Sequence, residues 1–151
     1  METVNILMVC LGNICRSPLA AGLLSQKLSS SFMVDSAGTA AYHTGNPPDP
    51  RSIAVAKKHG IAIHQQRARP FEQKDFRRFN WIYVMDHSNY NNLKALHPSE
   101  SEWEKVALLM INKEVPDPYY GGIDGFEKVF QMIDQATERI ANELISNVGP
   151  R

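Results

Sequence analysis

Cys10 and Arg16 bracket a short run, Cys10-Leu11-Gly12-Asn13-Ile14-Cys15-Arg16-Ser17, whose residue types suit chemistry on an anion. Gly12 and Asn13 both tolerate positive φ, so the chain can curl there and turn successive backbone N–H groups inward. Such a nest, continued into a helix N-terminus, holds a phosphate-sized anion. Arg16 adds a planar fork that grips two phosphate oxygens at once. The same donors act on sulfur: a free thiol titrates near ~8.5, and a helix N-terminus with a neighbouring cation lowers that by several units. Cys10 is therefore expected to attack as a thiolate, with the Ser17 hydroxyl donating to it. Cys15 has two readings: a small apolar loop residue, or a partner that traps oxidised Cys10 as a disulfide before irreversible oxidation.

When a phosphate ester is cleaved, the leaving oxygen needs a proton. The residue suited to supply it is Asp117, in Val115-Pro116-Asp117-Pro118-Tyr119-Tyr120. Prolines on both sides restrict the backbone around this carboxyl group. Tyr119 and Tyr120 offer an aromatic wall on which an aryl substrate stacks.

These groups act together only if the fold gathers them. Val4 to Val9 is almost continuously apolar, as a strand buried on both faces requires. Ser17-Pro18 reads as an N-cap followed by proline at the first helical position, and Ala20, Leu23, Leu24 and Leu28 repeat at helical spacing behind it. Phe32 to Val34 reads as a second strand that ends in Asp35-Ser36-Ala37-Gly38, and a loop follows to Pro50. Asp49-Pro50 repeats the cap-plus-proline start, and Gly60 closes that helix. Trp81 to Met85 and Val106 to Ile111 are the third and fourth strands, with a helix from near Ser88 between them. In the last helix, Asp124 to Glu127 resembles a capping box, and Phe126, Val129, Phe130, Ile133, Ile140 and Leu144 form one apolar face. This alternation predicts an α/β fold: a four-stranded parallel sheet with helices on both faces, in a single domain spanning residues 1–151. Ligands of such sheets bind at the carboxyl ends of the strands. Cys10, Asp35-Ser36, Asp86 and the loop after Ile111 should then be neighbours.

Composition narrows the partners. Lys+Arg and Asp+Glu balance at 16 each, which weighs against a nucleic-acid or anionic-membrane partner. No apolar run approaches the ~18 residues of a membrane span. Met1-Glu2-Thr3-Val4-Asn5 lacks a basic n-region, and two cysteines without an export signal are expected to stay reduced in the cytoplasm. There is no CxxC pair and no Cys/His cluster at zinc spacing, so neither a metal nor a cofactor is expected.

Together these features resemble a low-molecular-weight protein tyrosine phosphatase over nearly the whole chain. The matching pieces are Val9 to Pro18, Asp35-Ser36-Ala37-Gly38, Pro48-Asp49-Pro50-Arg51, His59-Gly60-Ile61, Met85-Asp86-His87-Ser88-Asn89 and Asp117-Pro118-Tyr119-Tyr120. The resemblance implies metal-free hydrolysis of phosphotyrosine through a phosphocysteine intermediate. It makes Cys10 the nucleophile, Arg16 the phosphate and transition-state ligand, and Asp117 acid and then base. Leu11, Gly12, Asn13, Ile14, Cys15 and Ser17 form the phosphate loop, and Tyr42, Tyr119 and Tyr120 the substrate walls. Asn13, Ser17 and Ser36 match the network that holds the loop in shape, and Asp86 matches a structural position. The family often carries a His before an Ala-Arg pair; here Gln66 stands in that place, before Arg67-Ala68-Arg69.

The implied partners are phosphotyrosine-containing proteins and, in the pocket, inorganic phosphate or another oxyanion. The chain is expected to be a monomer or to self-associate weakly through exposed Tyr119 and Tyr120. Arsenate reductases on this scaffold relay a disulfide through further cysteines, and none follows Cys15. Protein-arginine phosphatases are a closer alternative, but Ile14 with Tyr119-Tyr120 resembles the tyrosine branch. A phosphocysteine carrier would need neither Asp117 nor Arg16, and an inactive phosphotyrosine-binding module would lose the nucleophile or the acid.

Overall fold

β1 (Val4–Cys10) is buried on both faces from Ile6 onward, which explains its unbroken apolar run. In the computed structural model, which describes residues 3–119 and 121–148, β1 pairs in parallel with β2 (Phe32–Gly38) and β3 (Trp81–Val84). β4 (Val106–Leu108) pairs in parallel with β3, and the sheet order is β2-β1-β3-β4. Alternate side chains of a strand point to opposite faces. Ile6, Met8 and Cys10 accordingly join one core with α1 (Arg16–Lys27), α2 (Pro50–Lys58) and α6 (Ile123–Val148). Leu7 and Val9 join the other, closed by Phe76 of α3 (Asp75–Arg78), Leu93 of α4 (His87–Lys94) and Trp103 of α5 (Glu100–Trp103). The expected four-stranded parallel sheet, with helices on both faces of a single domain, is the observed architecture.

Several boundaries differ from the sequence reading. α1 begins at Arg16 with Cys15 as its N-cap, and no side chain caps it. Ser17 is not the cap because its hydroxyl is engaged with Cys10 and Asn13. Asp49 does cap α2, accepting from the Arg51 N–H, and Gly60 turns the chain after it with φ +81°. α6 starts at Ile123, so Asp124 lies inside the first turn and opens no capping box. Glu127 instead bonds Lys58, His59 and Gln131. β4 stops at Leu108 rather than Ile111, and the sequence reading did not place the short α3 and α5, although Ser99 and Glu102 form the capping box that opens α5. Among the described residues, no helix is long and apolar enough to cross a membrane.

Candidate active site

The chain turns between the end of β1 at Cys10 and the start of α1 at Arg16. Asn13 adopts φ +60°, a conformation its side chain tolerates better than most. Gly12 does not have a positive φ, contrary to the sequence reading. What it supplies is room, since a Cβ there would lie 2.9 Å from Cδ2 of His43. Outside donors draw the loop carbonyls away from the cavity. Thr39 N–H donates to the Cys10 carbonyl (2.8 Å), Ala40 N–H to that of Leu11 (3.0 Å) and Asp49 N–H to that of Ile14 (2.8 Å). In a trans peptide the following N–H points the opposite way. Among the described residues, the N–H groups of Gly12, Asn13, Ile14 and Cys15 have no protein acceptor. A loop with this many free donors beside a helix N-terminus is suited to an anion.

Side chains fix that shape from behind. The Asn13 amide nitrogen donates to the hydroxyls of Ser17 (2.7 Å) and Ser36 (2.9 Å), and its oxygen accepts from Arg69 N–H (3.0 Å). Ser17 Oγ lies 3.1 Å from Cys10 Sγ. Gln66 accepts from Ser36 Oγ at 3.4 Å and donates to the Pro18 carbonyl at 3.0 Å, bridging β2 to α1. At the end of β2 only glycine fits: a Cβ on Gly38 would sit 2.7 Å from the Leu11 carbonyl oxygen.

Arg16 is almost wholly buried. Its Nη1 donates to Asp86 Oδ2 (2.6 Å) and to the Val115 carbonyl (2.9 Å), and its Nη2 lies 3.6 Å from Asp117 Oδ2. Burial works against the guanidinium charge, but Cys10, Asp86 and Asp117 outweigh it and hold Arg16 above its ordinary value. Asp86 has a second task, capping α4 through Oδ1 to Asn89 N–H. Asp117 Oδ1 accepts from Tyr119 N–H at 3.0 Å, a local turn that sets the carboxyl group. Burial, with Asp49, Cys10 and Asp117 adding to it, pushes the Cys15 thiol up to about 12.

Cys10, Leu11, Gly12, Ile14, Cys15 and Arg16 line one side of a cavity of about 90 Å³. Tyr42, His43, Asp117 and Tyr119 line the other. Tyr42 is a rim residue, 76% exposed, and packs edge-on to His43. Asn13 and Ser17, placed by sequence with the phosphate-binding group, do not line the cavity; their side chains build the loop behind it. Tyr120 lies outside the described residues. His43 was missed: nothing in its sequence position signals a wall residue, and only the missing Cβ of Gly12 makes room for it. Among the described residues, no group of His, Cys, Asp or Glu is arranged to hold a metal ion.

Known proteins resemble this chain over nearly its whole length. The low molecular weight phosphotyrosine protein phosphatase family matches residues 5–149. The phosphatase of that name from Schizosaccharomyces pombe is 40% identical over 146 residues, covering 88% of this chain and 92% of its own. Its counterpart from Gallus gallus is 38% identical, covering 86% and 89%. Among solved structures, a protein tyrosine phosphatase from Entamoeba histolytica with Hepes in its active site superposes with a TM-score of 0.89 at 36% identity. That match covers 96% of this chain and 99% of the other. Vibrio vulnificus Wzb in complex with benzylphosphonate superposes with a TM-score of 0.86 at 29% identity, covering 94% and 99%. Profile, sequence and fold agree over nearly the whole length, and the chain belongs to the low molecular weight phosphotyrosine protein phosphatase family.

Proposed function

We propose that this chain hydrolyses phosphotyrosine in proteins, and small aryl phosphates, through a phosphocysteine intermediate on Cys10. The observation that carries the reading is the convergence of Cys10, Arg16 and Asp117 on one small cavity walled by tyrosine and histidine. The phosphoryl group sits on the free N–H groups of the loop, and the Arg16 edge not tied to Asp86 grips two of its oxygens. The Cys10 thiolate, supported by the Ser17 hydroxyl, attacks phosphorus as the bond to the tyrosine oxygen breaks. The Asp117 carboxyl group gives its proton to that oxygen, and tyrosine leaves. Water then attacks phosphorus and yields a proton to the Asp117 carboxylate. The S–P bond breaks, releasing inorganic phosphate and restoring the thiolate. Tyr42 and Tyr119 flank the phenyl ring, with Tyr120 assigned beside them.

The oxyanion reading is supported by the Hepes and benzylphosphonate bound in the two related structures. We place the activity in the cytoplasm, in one domain over residues 1–151, in a monomer or weakly associating chain that needs no cofactor. Both cysteines are free thiols, as that compartment maintains them.

The test is phosphate release from matched phosphotyrosine, phosphoserine and phosphoarginine peptides in chelator, beside a Cys10→Ser control. Release from phosphotyrosine alone, absent in the folded control, is the expected result. Release chiefly from phosphoarginine would overturn the substrate assignment, and turnover by Cys10→Ser would overturn the nucleophile.

A further inference from the structure

Arg51 lies in the first turn of α2 and does not line the cavity, yet its guanidinium reaches the segment that carries Asp117. Nη2 donates to the Tyr119 carbonyl at 2.8 Å and Nη1 to the Gly121 carbonyl at 3.1 Å. Nε and Nη2 also form a two-point pair with the Asp49 carboxylate, each bond 3.0 Å, which fixes the plane of the fork. One face of that plane lies 4.4 Å from the centre of the Phe126 ring. Asp49 is buried, and its own N–H donates to the Ile14 carbonyl inside the loop that holds Cys10. Burial of the Asp49 carboxyl group is outweighed by these Arg51 bonds, which hold it below its usual range.

A cation in the first turn of a helix faces the positive end of the helix dipole, so helix stability gives no reason for Arg51 to be there. Its partners do. They run without interruption from Ile14 through Asp49 and Arg51 to the carbonyls on either side of position 120. The Tyr119 carbonyl belongs to the residue whose N–H holds the Asp117 carboxyl group.

We propose that Arg51, oriented by Asp49, is a positioning residue that clamps the Asp117 segment in register with the Cys10 loop. Its catalytic consequence rests on reading Asp117 as the proton donor.

The test compares Arg51→Met and Arg51→Lys with the unsubstituted protein in two independent readouts. The first is hydrogen exchange, which does not depend on what Asp117 does. Arg51→Met is expected to speed exchange over residues 113–122 by about 10-fold, leaving residues 5–16 within about 2-fold. Unchanged exchange over 113–122, or an equal rise in every segment, overturns the clamp. The second readout is kcat across aryl phosphates of differing leaving group. Arg51→Met should slow phenyl phosphate about 10- to 100-fold but dinitrophenyl phosphate no more than about 3-fold. Inhibition by inorganic phosphate should stay within about 2-fold, and Arg51→Lys, which keeps the charge without the fork, should recover part of the loss. Equal slowing for both leaving groups, while Asp117→Asn discriminates between them, overturns the proposal. If Asp117→Asn does not discriminate, the proton-donor reading falls, and the exchange data alone decide the clamp. Should Arg51→Met not fold, Arg51→Lys carries both readouts.

Discussion

Asn13 supplies a left-handed backbone and three hydrogen bonds at once, and two substitutions separate them. The residue is 2% exposed, at φ +60°, with bonds of 2.7, 2.9 and 3.0 Å to Ser17, Ser36 and Arg69. Asn13→Ala removes the bonds and puts an ordinary side chain in the left-handed region. Three neutral bonds at about 1 kcal/mol each, lost where water does not readily enter, give about 3 kcal/mol. The left-handed conformation adds about 1.5 kcal/mol, so Asn13→Ala should cost about 4.5 kcal/mol. Asn13→Gly loses the same bonds without the backbone strain, offset by about 0.5–1 kcal/mol of unfolded-chain entropy. It should therefore be the milder change by about 0.5–1 kcal/mol. In a chain of this length about 1 kcal/mol moves Tm by ~2–4 °C, so Asn13→Ala should melt roughly 10 °C lower. Urea unfolding followed by circular dichroism, with phosphate release on the same samples, measures both consequences. A Gly variant as unstable as the Ala variant would refute the backbone part. Losses below about 1 kcal/mol in both would refute the contribution of the three bonds.

Other sites give further expectations. Gly38→Ala would push a Cβ to 2.7 Å from the Leu11 carbonyl oxygen and 3.0 Å from that of Ala40, and neither backbone atom can yield cheaply. Its urea midpoint should fall by the equivalent of about 2–3 kcal/mol, together with phosphate release; an unchanged midpoint would contradict the packing. The Cys15 thiol, pushed from 9.0 to about 12 by burial, keeps its proton in the fold after the unfolded chain has lost it. Its stabilising effect is thus complete below pH 9 and is lost between pH 9 and 12, so Cys15→Ala should flatten that decline in an alkaline urea series. Tyr83, likewise raised to about 12 by burial, should preserve part of the slope. Gln66→Ala removes the link from Ser36 to the Pro18 carbonyl and should cost about 1–2 kcal/mol in urea unfolding; no change would show that water replaces the amide.

What could be read from sequence, and what could not, follows from the range of the forces involved. β1 was legible because burial on both faces leaves an unbroken apolar run. α2 was legible because Asp49, Pro50 and Gly60 act on backbone within a few residues of themselves. Ser17 was misread as a cap because its local preference is overruled by Cys10 and Asn13 in the folded loop. Gly12 was read for its backbone freedom, although it serves as space for His43, a contact across the cavity that no spacing in the chain announces. The grouping of Cys10, Asp86 and Asp117 was legible through the strand-end rule. The partners of Asn13 at positions 36 and 69, and those of Arg51 at 119 and 121, were not, because a side chain's reach is invisible until the loops are placed.

The two halves of the site are held in physically different ways. Asn13, Arg16, Ser17, Ser36 and Asp49 are all buried polar groups beside the Cys10 loop, and among the described residues every buried side-chain nitrogen and oxygen has a partner. Moving any one of them strands a partner away from water at about 1–3 kcal/mol, so this half shifts as a unit or stays put. The opposite half is open: the Asp117 side chain is 36% exposed, and Tyr42 far more so. Its bonds can exchange with water at little cost, so small changes there are cheap. A loop that must meet the same phosphoryl group in every substrate benefits from rigidity. Under the proposed function, a wall that accepts different peptides around one phosphotyrosine benefits from tolerance, provided the Asp117 segment keeps its place. Arg51 meets that condition, joining the tolerant segment by its backbone carbonyls to the rigid loop.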